Sequence, residues 1–348
     1  MWKCGLYISF MFSLSCAELT IRAISDKRLS FGYIPHWDAS KQSLYVTNAL
    51  ISLFRYDAVT KQLYEGTFTD PNFKIDFFLP TSECQDCFVA SHGLDVYIVH
   101  WDGFNSNVTF VRKLTELPGK ENLTYVNTAK MDPNNRLFVA TWRYDRCNPH
   151  GNSPDGSVYL IETDGHTKEI IGGALYPSGL EWDVSASKMY YIDICQLNIK
   201  SYDWSSSDGT VRNPKIVYDF RDDFPIDPPV SYYLPVGSNI NLDGNLMVAL
   251  FNASTVVEIN PTTGKLVRTI EMPAETVTGA IYGGEDTLFV TSSVRKSSFD
   301  GQKHGDSNNP ESGKIFIING RSCGLEAHPH ASFFCFIFIL ICKHKMCT

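Results

Sequence analysis

The sequence predicts an all-β fold, a six-bladed β-propeller, and two observations carry that prediction. A hairpin unit recurs six times along the 348 residues, and no stretch keeps helical periodicity. Each unit is a short apolar run, a turn, and a second strand that reads Leu or Val, aromatic, Val. In order, the units cover 33–48, 88–100, 128–142, 179–193, 239–252 and 279–292. The first turns around 38–42 and continues in Leu44-Tyr45-Val46. The third turns at Asp132-Pro133-Asn134-Asn135 and the fifth at Asp243-Gly244, residue types that accept tight hairpin backbone. Second strands marked by Leu44, Val96, Leu137, Met189, Leu246 and Leu288 are spaced by about 49 residues, close to the length of a four-stranded blade. Outer strand pairs fall at 53–57 with 63–67, 158–162 with 169–172, 199–203 with 215–219, and 255–260 with 266–271. The last strand, 314–318, is left without neighbours in sequence. It is expected to pair with 19–24, which closes the ring and hides its edges. Residues 18–320 are therefore read as one propeller domain.

The two ends differ from this body. Lys3, the apolar run 4–14 and Ser15-Cys16-Ala17 read as a secretory signal over residues 1–17. Export agrees with three glycosylation sequons, at Asn107, Asn122 and Asn252. Residues 321–348 form a tail outside the fold. Its apolar run, 332–342, is too short to span a bilayer and is followed by Lys343-His344-Lys345. Cysteine usage fits an oxidising compartment. Cys84-Gln85-Asp86-Cys87 is a lone C-x-x-C without the second pair that zinc wants, and is read as a local disulfide. Cys147 and Cys195 follow the second strands of neighbouring blades and are expected to pair. The net charge is −8 with no basic cluster in the body, which argues against nucleic acid or an anionic membrane as partner. The expected protein is a secreted monomer.

Several segments stand in a telling order: Gly32-x-x-Pro35-x-Trp37, Asn127-x-x-Lys130-x-Asp132-Pro133, Ser178-Gly179-Leu180-Glu181-Trp182, Tyr190-Tyr191-Ile192-Asp193, Pro235-x-Gly237 and Asn260-Pro261-x-Thr263-Gly264-Lys265. With them, the chain from about 31 to 320 resembles the senescence-marker-protein/gluconolactonase/luciferin-regenerating-enzyme family. The resemblance implies a six-bladed propeller with one divalent metal, calcium or zinc, near its axis. It also implies hydrolysis of sugar lactones or related esters, the metal polarising the carbonyl and activating water. The family's metal ligands are a Glu, an Asn and an Asp on three blades. The flanking residues place them at Tyr33, Ser178 and Val236, so all three ligands are replaced and no metal cofactor is expected. Of the substrate-orienting positions, Asn127 keeps the family's Asn, Tyr125 replaces an Arg, and Asp145 keeps the acidic character.

What could remain is a mouth lined by the ends of second strands: Asn48, His100, Trp101, Asp102, Trp142, Asp145, Asp193, Asn252 and Ser292. Tyr125, Asn127, Trp101, Trp142, Asp145 and Asp193 are the candidate ligand-binding residues. Asp145, Asp193 and His100, the last beside Asp102, are candidates for acid–base work, although no nucleophile motif accompanies them. Asp222, Asp223 and Asp227 could bring carboxylates from the insertion 219–229. The reading favoured here is a non-catalytic protein that binds a small molecule in the central pocket. Its competitors are a metal-dependent lactonase or esterase with a rebuilt site, and an interaction protein that uses the propeller rim.

Overall fold

In the computed structural model of the chain, residues 19–48, 51–70, 72–119, 123–143, 156–225, 233–284, 286–295 and 305–320 are described. The fold is an all-β propeller. After β1 (Thr20–Ala23), strands β2 (Gly32–Asp38), β3 (Ser43–Asn48), β4 (Ser52–Asp57) and β5 (Gln62–Phe68) run antiparallel in sequence order. Strands β6 (Phe78–Pro80), β7 (Cys87–His92), β8 (Asp95–His100) and β9 (Asn107–Glu116) repeat the pattern. So do β10 (Thr124–Met131), β11 (Leu137–Arg143), β12 (Gly156–Ile161) and β13 (Thr167–Ala174). The next sheet is β14 (Pro177–Asp183), β15 (Lys188–Asp193), β16 (Asn198–Trp204) and β17 (Val211–Asp219), followed by the single-turn α1 (Phe220–Asp223). Then come β18 (Leu234–Ile240), β19 (Leu246–Phe251), β20 (Thr255–Asn260) and β21 (Lys265–Glu271), and finally β22 (Val277–Tyr282), β23 (Thr287–Ser292) and β24 (Phe316–Asn319).

The ring closes as expected. β1 pairs antiparallel with β24, from Thr20 opposite Asn319 to Ala23 opposite Phe316, and so becomes the outer strand of the sheet that begins with β22. The blade count differs from the expected six. Hydrogen bonding gives four separate four-stranded blades and one continuous eight-stranded sheet. The cause is a short parallel join in which Thr67 and Phe68 of β5 pair with Asn107 and Val108 of β9.

Second strands carry the core. β3, β11 and β19 are buried along nearly their whole length, because each is covered on both faces by neighbouring sheets and so reads as a continuous apolar run. Six apolar clusters result, each between two consecutive groups of four strands. One joins Tyr45 and Leu53 to Phe78 and Phe88, and another joins Phe54 and Leu44 to Phe289. The turns behave as their residues require. The Asp132 carboxylate, for example, accepts the N–H groups of Asn134 and Arg136, while Asn135 takes a left-handed φ of 60°.

One unit was phased wrongly. The strand marked by Val96 is β8, which is third from the axis; the second strand is β7, and the innermost is the three-residue β6. β6 was missed because Phe78-Leu79-Pro80 is too short to show alternation. The Cys84–Cys87 disulfide closes the β6–β7 turn. Cys195 is also disulfide-bonded, but its expected partner Cys147 lies outside the described residues. Outside them too lie residues 1–17 and 321–348, Asn122, Asp145 and Asp227. Among the described residues no helix is long and apolar enough to cross a membrane.

Candidate functional site

Inner strands β2, β10, β14, β18 and β22 all start at one face, the mouth, where second strands end: Gly32 opposes Asn48, Pro177 opposes Asp193, and Val277 opposes Ser292. Close to that start every one of them is interrupted by a bulge. The interruptions leave Ile34-Pro35, Asn127, Ser178, Gly237 and Thr278 without a cross-strand partner. A bulge turns its extra residue out of the ladder and re-aims side chains. Ile34 and Gly237 take left-handed φ values of 48° and 57°. At Gly237 no side chain could follow, since a Cβ would stand 2.9 Å from both the Gly279 Cα and the Thr278 carbonyl oxygen.

Residues at or beside these interruptions fasten four of the six junctions between neighbouring groups of strands. The Asn127 amide donates to the Pro177 carbonyl at 2.6 Å. The Ser178 hydroxyl accepts from the Gly237 N–H at 3.3 Å. The Thr278 hydroxyl donates to the Gly32 carbonyl, and the Tyr33 hydroxyl to the Asp76 carbonyl. Burial, with Asp76 and Tyr176 nearby, pushes the Tyr33 hydroxyl well above its ordinary pKa, so it stays a neutral donor. The Asp76 carboxylate accepts from the Gly93 N–H at 2.7 Å, yet burial raises its pKa to about 7.

Aromatic rings fill much of the rest. Trp142, at the end of β11, stacks on Tyr176 at 4.3 Å between centroids and leans on Tyr125 at 5.6 Å. Phe31 lies edge-on to Tyr33 at 5.5 Å and against Phe251 at 5.8 Å.

Deeper in the channel is a charged floor. Lys130 of β10 forms an ion pair with Glu181 of β14, whose side chain is 3% exposed, and reaches the Ser238 carbonyl of β18 at 3.3 Å. Burial raises the Glu181 pKa and the Lys130 charge opposes the rise. His36 of β2 completes the cluster; burial, then the Lys130 charge, pushes its pKa down to about 4.

The candidate residues are thus divided. Tyr125, Asn127 and Trp142 are at the mouth. Asp193 is not available to a ligand. It is fully buried, and its two oxygens accept from the N–H groups of Leu175, Tyr176 and Cys195 and from the Tyr191 hydroxyl. It acts as a turn cap that sets the position of Tyr176. His100, Trp101 and Asp102 are at the opposite end of the molecule from the mouth, because β8 is a third strand and ends where second strands begin. Trp101 is 1% exposed in an apolar core and donates to the Asn105 carbonyl, and Asp102 accepts the N–H groups of Phe104 and Asn105. Asp223 accepts from Tyr218 at 2.7 Å, and Asp222 is exposed. Of the sequons, Asn107 is the exposed first residue of β9, and Asn252 sits in the turn after β19 with φ 65°.

Tyr33, Ser178 and Val236 do not make a hard-cation set. They offer two hydroxyls, both engaged between blades, and one side chain with no oxygen; such an ion wants several oxygens with carboxylate among them. Among the described residues no three His, Cys, Asp or Glu side chains cluster as metal ligands.

The fold agrees with known proteins. A family described as the SMP-30/Gluconolactonase/LRE-like region matches residues 31–294. The chain belongs to that family. Regucalcin of Sus scrofa is 24% identical over 317 residues, covering 90% of this chain and 99% of its own. Regucalcin of Danio rerio is 26% identical over 307 residues, covering 87% and 95%. The structure of a luciferin-regenerating enzyme superposes with a TM-score of 0.74 at 24% identity, covering 87% of this chain and 96% of that one. At that identity the superposition speaks for the fold.

Thr278, Tyr176 and Asp76 were missed by sequence reasoning. Thr278-Gly279 stands at the same place in its unit as Ser178-Gly179, and that internal match could have exposed it. Tyr176 and Asp76 precede their strands and carry no repeat signal.

Proposed function

We propose that this protein is a secreted, glycosylated propeller of the regucalcin and gluconolactonase family that binds a small molecule at its mouth without hydrolysing it. The blade count in this reading is six, the halves β2–β5 and β6–β9 counting separately. The six inter-group cores support that count. The observation that carries the functional reading is the use of Tyr33 and Ser178 as links between blades, with Val236 beside them. Where the family's ligands would face an ion, these side chains face protein. Without the ion there is neither a Lewis acid nor an activated water.

The test is restoration. Tyr33→Glu, Ser178→Asn and Val236→Asp together should create calcium binding detectable by calorimetry, while the parent protein binds neither calcium nor zinc tightly. Micromolar calcium binding by the parent would overturn the reading. It would favour the family's lactone-hydrolysing chemistry on a rebuilt site, for which the chain's membership of the family is the support. Export is tested by expression in secretory cells: release into the medium and a gel shift on glycosidase treatment are expected, and retention without a shift would refute it.

A further inference from the structure

The mouth's polar side chains and its aromatic ones are used differently. Asn127, Ser178, Thr278 and Tyr33 spend hydrogen bonds on neighbouring blades. A sugar-like molecule needs such groups turned toward it, to satisfy a hydroxyl on every carbon. Among the described residues, much of the remaining surface is aromatic. Phe31, Tyr33 and Phe251 form one group of rings, Tyr125, Trp142 and Tyr176 the other. Phe31, Tyr33, Tyr125 and Tyr176 are half-buried, while Trp142 and Phe251 are buried. Among the described residues the acidic groups nearest them are muted, and burial raises the Asp76 pKa to about 7. The Asp193 carboxylate is consumed by four donors, and the Lys130 and Glu181 charges neutralise each other below.

We propose that the ligand of this mouth is an uncharged, planar aromatic molecule, held by stacking on the two ring groups, and not a sugar lactone. Flat rings offer large contact area at low entropic cost and prefer offset or edge-on partners, the arrangements already present here. The proposal rests on the reading of the mouth as a ligand-binding site and narrows its ligand class.

Two probes separate the ideas. 7-Methoxycoumarin is planar, aromatic and uncharged; D-glucono-1,5-lactone is a saturated, hydroxylated ring. Calorimetry on the full secreted chain should show the coumarin binding and the gluconolactone not. Trp142→Leu and Tyr125→Leu should each weaken coumarin binding by about tenfold. Trp142→Phe and Tyr125→Phe, which keep a ring, should retain it. Thermal unfolding checks that each variant is folded, and Tyr125→Leu, at a half-buried position, carries the test if Trp142→Leu does not fold. Coumarin binding that both Leu variants leave unchanged would overturn the proposal, since the probe would then sit elsewhere. Gluconolactone binding without coumarin binding would overturn the aromatic class and leave the binding site standing. Binding of neither would overturn both and favour an interaction role for the rim.

Discussion

The mouth and the channel floor are built from the same strands, a few residues apart, yet they are held together by different forces. On β2, β10 and β14 the mouth residues are Tyr33, Asn127 and Ser178, and the floor residues three positions deeper are His36, Lys130 and Glu181. At the mouth, neutral side chains meet backbone carbonyls and amides one link at a time. At the floor, one ion pair, buried at its Glu181 end, reaches across three strands. The mouth links at Asn127 and at the Gly237 N–H involve half-buried residues, so water can take the place of a lost partner there. At the floor the Glu181 side chain is 3% exposed, so its charge would stay without a counter-charge if Lys130 were lost. The difference teaches where this propeller tolerates change: the rim is held by rings and hydroxyls, the floor by one ion pair.

The largest expected effect follows from that asymmetry. Lys130→Met leaves Glu181 buried without its partner and should cost about 3–5 kcal/mol. The double variant Lys130→Met with Glu181→Leu should recover most of the loss, because two apolar side chains then replace the pair. Urea unfolding of the three proteins checks this. A single variant as stable as the parent would mean that the floor is as replaceable as the rim.

The next effect sets one residue of each region against the other through pH. His36 at the floor titrates near pH 4 when folded and near 6.5 when unfolded. Between those values the unfolded chain binds the extra proton, so His36 makes stability rise with pH and fall on acidification. Asp76 at the mouth is the reverse case, titrating near 7 when folded and 3.8 when unfolded. There the folded chain holds the extra proton, so its contribution is complete below the unfolded pKa and is lost as pH rises through 7. Each term is of the order of 3 kcal/mol, and from pH 4 to 6.5 they oppose. The parent's slope in that window should therefore lie between those of variants lacking one group or the other. Asp76→Asn should leave a protein whose stability climbs with pH, and His36→Gln one whose stability falls. Denaturant titrations at pH 4.5 and 6.5 measure the slopes, and two variants with the parent's slope would refute the assignment.

Much of this fold was legible because burial on both faces writes second strands as apolar runs. Leu44, Leu137, Met189, Leu246 and Leu288 all fall in the strands they marked. Val96 misled for the same reason. β7 and β8 are both apolar enough to serve as a second strand, and β6 is too short to fix the phase. Placing His100, Trp101 and Asp102 at the mouth followed from that one slip. The floor was illegible for another cause. Side chains two apart share a face in a regular strand, but a bulge adds a residue and brings positions three apart into the same channel. Tyr33 with His36, Asn127 with Lys130, and Ser178 with Glu181 are therefore out of phase with the pattern that reveals strands.

The smallest effect measures a single mouth link. The Ser178 hydroxyl accepts the Gly237 N–H, which has no cross-strand partner because Gly237 is the bulge residue. Ser178→Ala removes that acceptor and little volume. A buried N–H left unmet would cost the full desolvation of the group, whereas one that finds water loses only the net value of a hydrogen bond. Gly237 is half-buried, so water can reach its N–H, and the expected loss is about 1 kcal/mol. Urea unfolding gives the number, and hydrogen exchange at the Gly237 amide gives the mechanism: exchange should quicken in the variant as water takes the place of the hydroxyl. A loss near that of Lys130→Met would mean that the rim is sealed as tightly as the floor, and the contrast between the two regions would disappear.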